Sequence, residues 1–310
     1  MSQPESAVAD ARAGGRKDGT PSRGKEPLAE LASRYGLRRA IARPSLPAYV
    51  RQLWERRHFV LTYATSRNVS RYSSSMLGQL WQVLTPLLNA GVYYLMFGLI
   101  LGARNDSDNY VAFLLTGVFI FSFTQRSVSS GAKSISGNLS LIRALHFPRA
   151  ALPLAYTIQE LQQLAVSMVV LLVLVLLTGE PITLLWLFIP VVLLLQTMFN
   201  IGASLVLARI GSTARDMNQL LPFITRTWLY ASGVFYAIDV KVEHAGGPPW
   251  LADILYLNPA ASYIEFMRDI LISSHTPRDW VWGSCVFWAV FALLVGFWYF
   301  WRAEERYGRG

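Results

Sequence analysis

The chain has 310 residues, 53% of them hydrophobic and 15% charged, with 28 Lys and Arg against 19 Asp and Glu and a net charge of +9. Its charge-free apolar runs are too many and too long for one soluble core, which excludes an ordinary soluble globule. An isoelectric point near 9.8 would suit nucleic acid, but the basic residues crowd the segments beside the apolar runs, where anionic lipid headgroups attract them. Contact with membrane lipids is expected, and no nucleic-acid partner.

Residues 1–44, rich in Ala, Gly, Ser, Arg and Lys, predict a disordered basic tail; lacking an apolar stretch, it is not expected to be a cleavable signal peptide. Residues 45–66 predict an amphipathic interface helix. Val50, Leu53, Trp54 and Leu61 fall on one side and Arg51, Glu55 and Arg56 on another, with Arg57 interrupting the stripe, a pattern suited to the headgroup plane.

The transmembrane domain is expected over 67–305, with a short cytoplasmic C-terminus at 306–310. No Asp, Glu, Lys or Arg occurs in 72–103, 110–125, 217–225, 227–238 or 280–301, and 161–208 carries only Glu180, in the turn Gly179-Glu180-Pro181. About 20 apolar residues at a rise of about 1.5 Å match a hydrocarbon core of about 30 Å, and lipid leaves helices or closed barrels as the structures that satisfy the backbone. The expected fold is therefore an all-α integral membrane protein with six transmembrane helices, at 80–102, 111–131, 152–178, 182–208, 217–238 and 280–301. Trp81, Trp186, Trp228, Trp280, Trp282 and Trp301 fall mostly near the proposed ends, as an aromatic belt requires. The single cysteine, Cys285, precludes an intramolecular disulfide and is expected only to pack.

Between helices five and six an extracytoplasmic re-entrant or interfacial helical hairpin is expected. An apolar stretch from Trp250 ends at Asn258-Pro259, an N-cap and first-turn proline for a second helix bearing Tyr263, Phe266, Met267, Ile270 and Leu271 at helical spacing. The three charges Glu265, Arg268 and Asp269 keep that helix from spanning. A passive outer cap is the plainer alternative.

With both termini in the cytoplasm, 22 of the 28 basic residues lie inside, four outside (Arg104, Lys241, Arg268 and Arg278) and two within helices (Arg126 and Arg226). Fourteen of the 22 precede the first helix, so the orientation rests mainly on the tails. Arg226, about 14 Å into helix five, is a candidate for the transport path, with a salt bridge to Glu160 as its structural alternative. Tyr93, Tyr94 and Phe97 on helix one, and Trp228, Tyr230, Phe235 and Tyr236 on helix five, offer faces on which sugar rings stack; more often such residues are core, so only a subset should matter.

The chain has no Gly-x-x-x-x-Gly-Lys-Ser/Thr phosphate loop, and Gly131-Ala132-Lys133-Ser134 lacks the glycine before lysine. His58, His146, His244 and His275 lie outside the spans and Glu160 is the only carboxylate within one, thin support for a proton relay, a metal site or a membrane enzyme.

Several strings, in order, resemble the ABC-2 type permeases of polysaccharide exporters, the group of Wzm-type O-antigen or galactan permeases and teichoic acid permeases. They are Arg71-Tyr72 through Leu77-Gly78 and Trp81 to Pro86; Asn138-Leu139-Ser140-Leu141-Ile142-Arg143 followed by His146-Phe147-Pro148-Arg149 and Leu152-Pro153-Leu154; Arg215-Asp216 through Pro222-Phe223; and Leu257-Asn258-Pro259. Ser74 and Ser75 stand where relatives often have Lys-Gly, and the long N-terminal tail is also a departure.

The resemblance implies a homodimer working with two copies of a separate ABC ATPase that holds ATP and Mg, in the bacterial inner (plasma) membrane, moving a polyprenyl-diphosphate-linked polysaccharide. It makes Asn138, Leu141, Arg143, His146, Phe147 and Arg149 the segment that docks on the ATPase, with Phe147 as an exposed anchor. It sets Arg67 and Arg71 at the cytoplasmic mouth to meet the carrier diphosphate, and Trp250, Asn258, Pro259, Tyr263 and Phe266 in an outer gate. A small-molecule or drug exporter of the same superfamily and an integral-membrane enzyme of glycan or lipid-carrier chemistry are the alternatives.

Overall fold

The computed structural model describes residues 44–73, 76–100, 109–145, 147–214, 216–275 and 278–307. Expectations for 1–43, Ser74, Ser75, Arg104, His146, Arg215 and 308–310 lie outside these residues. All regular structure among the described residues is helical. Four helices are long and apolar enough to cross a membrane: α4 (Tyr110–Lys133), α6 (Ala151–Leu177), α7 (Ile189–Thr213, led in by a 3-10 turn, Leu184–Phe188) and α12 (Asp279–Trp301). They correspond to the second, third, fourth and sixth expected spans.

The first and fifth spans depart from expectation. The first is α3 (Trp81–Tyr93), continued by a π-helical segment, Tyr94–Ile100. The fifth, α8 (Met217–Ala231), stops seven residues before Ile238. At 15 residues it reaches about 22 Å, short of a bilayer core. The cause is local: the Ser232 hydroxyl donates back to the Trp228 carbonyl, and Gly233 takes a left-handed φ of 62° that other residues adopt only with strain.

The expected interface helix is two helices, α1 (Leu46–Glu55) and α2 (Arg57–Tyr72), hinged at Arg56. Their packed side also differs from the predicted stripe. Tyr49, Val60 and Ala64 are buried, with Val60 and Ala64 against Ala151 and Ala155 of α6, whereas Val50, Trp54 and Leu61 are 46%, 69% and 48% exposed. The small alanines admit the close approach, and the bulkier apolar residues are left outward.

At the end of the bundle bearing α1 and the short helix α5 (Leu139–Ala144), Tyr49, Ile135, Ile142, Leu205, Ala208 and Phe300 share one core. At the opposite end, the Glu180 carboxylate accepts from Asn109 Nδ2 (2.9 Å) and from the Ser273 amide and hydroxyl (2.8 and 2.9 Å), so the expected turn residue is a tie between three segments. Within the bundle, α7 and α12 meet backbone to backbone. A Cβ on Gly202 would lie 2.1 Å from the Ala292 carbonyl oxygen, and one on Gly296 2.2 Å from that of Gly202. Buried polar groups bind the same bundle: Gln196 donates to the Ile120 carbonyl and to Thr124, and Ser204 to the Ser127 carbonyl, bonds that lipid cannot replace. Cys285 is fully buried and packs, as expected.

The segment after α8 forms α9 (Ile238–His244), α10 (Pro249–Tyr256) and α11 (Pro259–Leu271). Asn258 caps α11, accepting from the Ala260 amide, with Pro259 in its first turn, as the sequence indicates. The same side chain accepts from Trp228 Nε1 at 2.7 Å and donates to Ser232 at 3.0 Å. The helix is no surface cap, because every residue from Ala260 to Leu271 is buried, against α4, α7 and α12. Arg268, counted above as an outer-loop charge, is 2% exposed and donates to the carbonyls of Phe113, Gly233 and Val234 at 3.0–3.3 Å. Gly117 leaves room for it, since a Cβ there would lie 2.8 Å from Arg268 Nη2. Glu265 lies 3.6 Å from the guanidinium and 2.7 Å from His275 Nε2, which is 3.5 Å from Asp269.

Two predictions follow from this packing. Gly202→Ala should lower the apparent melting temperature of the purified protein by several degrees, because overpacking costs about 1–3 kcal/mol, while Gly283→Ala, with open space at its Cβ position, should leave it unchanged. Burial pushes the Asp269 carboxyl up to about 7, against the pull of His275 and Arg268 and with the push of Glu265. A raised folded-state pKa means that this group's stabilisation is full below its unfolded value near 3.8 and is lost as pH rises through about 7. Asp269→Asn should therefore flatten the decline in melting temperature between pH 5 and pH 8, measured by scanning fluorimetry.

Candidate functional site

Charged side chains converge in one cavity of ≈ 810 Å³ between α2, α4 and α6, near the α5 end of the bundle. Helical spacing assembles it. Arg67 and Arg71 are four apart on α2, Arg126 and Lys133 seven apart on α4, and Gln159 and Glu160 follow Tyr156 at three and four on α6, so each helix turns one polar face to the cavity.

At its centre is Glu160, whose carboxylate is 4% exposed. Its Oε1 accepts from Arg71 Nη1 at 3.2 Å; its Oε2 lies 3.2 Å from Arg126 Nε, an ion contact without hydrogen-bond alignment. Arg71 also donates to Gln163 at 3.3 Å. Arg67 donates to Gln159 at 3.1 Å and lies over the Tyr156 ring with its guanidinium carbon 4.0 Å from the centroid. Four basic groups thus face one carboxylate, a formal excess of +3. Such an array of donors is suited to a multivalent anion.

The structure joins the two expected arginines to two cations the sequence reading did not assign to a site, Arg126 and Lys133. Their signal was present: Arg126 interrupts an apolar span and Glu160 is the lone carboxylate of the next. The expected alternative pairing of Glu160 with Arg226 is not formed, since Glu160 takes Arg71 and Arg126 and Arg226 is exposed on α8.

The segment 138–149 adjoins the cavity. Asn138 accepts from the Tyr63 hydroxyl (2.8 Å) and donates to Tyr156 (2.8 Å) and to the Ser134 carbonyl (2.7 Å), linking α2, α4 and α6. Arg143 and Leu145 are exposed, and Leu141 is partly buried against the core. Phe147 is not the exposed anchor expected: it packs against Phe59 at a centroid distance of 5.2 Å. Arg149 is likewise engaged inside the chain, donating from its amide to the Glu304 carboxylate at 3.0 Å and from its guanidinium to the Glu304 carbonyl. Glu304 in turn accepts from Tyr49 at 2.8 Å.

Four of the seven aromatics form one cluster. Phe235 is fully buried and stacks on Phe97 (4.4 Å), with Tyr93 at 4.6 Å and Tyr230 at 5.5 Å. Trp228 packs on Phe121, Tyr94 neighbours Tyr110, and the Tyr236 hydroxyl donates to the Tyr230 carbonyl. Core packing accounts for Phe235 and Trp228, while Tyr230 keeps an exposed face. Of the expected outer residues, Tyr263 and Phe266 are buried, with Tyr263 donating to the Cys285 carbonyl at 2.8 Å, and Trp250 is exposed. Among the described residues, one group brings three metal-donor atoms within 4.8 Å, Glu265, Asp269 and His275; with Arg268 beside them they compensate one another as an ion cluster.

Comparison with known proteins accords with this architecture. The chain is 28% identical over 250 residues to an O-antigen export system permease protein RfbA of Klebsiella pneumoniae, covering 80% of this chain and 93% of that protein. It is 28% identical over 228 residues to the protein of the same name in Myxococcus xanthus, 74% of this chain and 85% of that one. It is 25% identical over 207 residues to the capsule polysaccharide export inner-membrane protein CtrC of Neisseria meningitidis serogroup B, 64% of this chain and 74% of that one. The profile of the ABC-2 type transporter family matches residues 60–272, most of the described helices and the whole cation cavity, and the chain belongs to that family.

Proposed function

We propose that this chain is the permease subunit of an ATP-driven exporter that moves a lipid-linked cell-envelope polysaccharide across the bacterial inner (plasma) membrane. The cation cavity carries the reading: a +3 excess between α2, α4 and α6 suits the diphosphate of a polyprenyl carrier better than a neutral or cationic drug. The names of the relatives point the same way. Hydrolysis of ATP, with its Mg, belongs to a separate ABC ATPase, two copies of which serve a permease homodimer. Exposed apolar residues on α3 and α8, among them Leu88, Val92, Leu220 and Phe223, support a second copy or lipid as their cover.

In this reading α3 with its π-helical continuation and α8 with its following turn complete six spans, with both termini in the cytoplasm and the cavity at the cytoplasmic end. The α10–α11 hairpin is re-entrant from the outer side and contributes Trp250 and the Asn258-Pro259 turn to an outer gate. Arg67 and Arg71 receive the diphosphate together with Arg126 and Lys133, exposed Arg226 helps it inward, and Tyr94 and Tyr230 offer stacking faces to the glycan. Arg143 and Leu145 touch the ATPase, and Asn138 passes its movement through Tyr63 and Tyr156 to Arg67.

Single cysteines introduced in a Cys285→Ser background test the orientation: a membrane-impermeant thiol reagent applied outside should label position 244 and not position 143, and the reverse pattern overturns it. Export and substrate-stimulated ATP hydrolysis at matched expression test the path. Arg71→Ala should reduce both at least about tenfold, the loss of a charge-assisted contact, and unchanged export in Arg71→Ala, Arg226→Ala and Tyr94→Ala together refutes it. Leu145→Asp should uncouple hydrolysis from export in a protein that still inserts; normal export removes this segment from the mechanism. Stimulation of hydrolysis by hydrophobic drugs but not by polyprenyl-diphosphate glycan would favour the small-molecule alternative.

A further inference from the structure

We propose that Glu160 is a built-in competitor that sets which anions the cation cavity accepts: it holds the place of an incoming phosphate, so that a diphosphate-headed lipid takes over one of its two arginines and a singly charged phospholipid does not. This rests on the reading of the cavity as the receiving site for a carrier diphosphate and adds the basis of its selectivity.

The arginines already have acceptors supplied by the chain. Along one stretch of α6, Gln159, Glu160 and Gln163 present oxygens to Arg67 and Arg71, and the second Glu160 oxygen reaches Arg126 on α4. Together these oxygens, borne by a rigid helix, imitate the acceptors of a bound phosphate. For these three arginines binding is therefore an exchange of acceptors rather than a gain of new ones.

Charge decides which ligand wins the exchange. An anionic phospholipid brings about one negative charge, so against Arg71 and Arg126 it replaces one carboxylate by one phosphate and leaves Glu160 buried without its partners, a state that costs more than the exchange returns. A glycan-linked diphosphate brings a charge on each of two adjacent phosphates. It can engage two cations while Glu160 retains a third, and with Glu160 it brings the formal excess of four basic groups from +3 to +1. The misaligned Arg126 contact is the half of the bridge that yields first. Without Glu160 the cavity would present four uncompensated cations to a membrane rich in monoanionic lipid and would fill with it.

The test uses the purified full chain in neutral-lipid nanodiscs, with undecaprenyl diphosphate and phosphatidylglycerol as competing probes counted by native mass spectrometry. Wild type should prefer the diphosphate by about tenfold or more, and Glu160→Gln should bind phosphatidylglycerol more tightly and lose most of that preference. Glu160→Asp, which keeps the charge with a shorter reach, should retain an intermediate preference and serves if the Gln variant does not fold. A merely structural Glu160 would weaken both probes alike, so an unchanged preference in the Gln variant, or in the Asp variant if only that folds, overturns the inference. Wild type that binds no diphosphate, or Arg71→Ala that binds it as well as wild type does, overturns the reading of the cavity itself and is thereby distinguished from failure of the selectivity argument.

Discussion

The guanidinium of Arg268 holds together segments whose carbonyls would otherwise lie unanswered inside the bundle. A bilayer protein cannot leave carbonyls unsatisfied, and a helix that ends inside the bundle, as α8 does at Ala231, exposes several. Arg268 reaches from α11 to the carbonyls of Gly233 and Val234 just past that end and to Phe113 on α4. It is one of the few side chains with enough rigidly arrayed donors to do so. Its charge is balanced by Glu265, one turn earlier on the same helix, so the whole device travels on α11. The buried α11, the end of α8 at Ser232-Gly233 and the space at Gly117 all meet at this one side chain.

The same economy governs the other charged centre. Buried ions are costly, and the chain offsets the cost at each end of the bundle by a different route: a closed ion cluster around Arg268, and an open cavity around Glu160 where basic groups outnumber the carboxylate. The closed cluster suits a fixed joint. The open one leaves its basic groups in formal excess over the single carboxylate.

Much of the fold was legible because lipid imposes a simple rule on composition. Charge-free stretches located α4, α6, α7 and α12, and Asn258-Pro259 marked the start of α11 through a cap that the structure contains. Most of what escaped was set by contacts between distant residues. Within 217–238 the break is local, at Ser232-Gly233, but a charge-free composition hides it, and the carbonyls it frees are answered by Arg268 on a later helix. In α1 and α2 the stripe of Val50, Trp54 and Leu61 is outward, while the side packed on α6 is set by Val60 and the small Ala64 opposite Ala151 and Ala155, which the sequence pattern did not single out. In the site, Arg67 and Arg71 were named from resemblance, whereas Arg126 and Glu160 were visible only as isolated charges whose pairing needed the packing of three helices.

The backbone contact at Gly202 and Gly296 has a mechanical consequence. Two helices that touch carbonyl to glycine where they cross have no side-chain layer there on which to slide, so α7 and α12 are locked at that point as a stiff beam. Compliance must lie elsewhere, in the members whose helical hydrogen bonding is already interrupted: α3, which slackens into a π-helical stretch, and α8, which carries Pro222 and breaks at Gly233. Bending of this bundle is therefore easiest at its two irregular staves and hardest where the beam is locked.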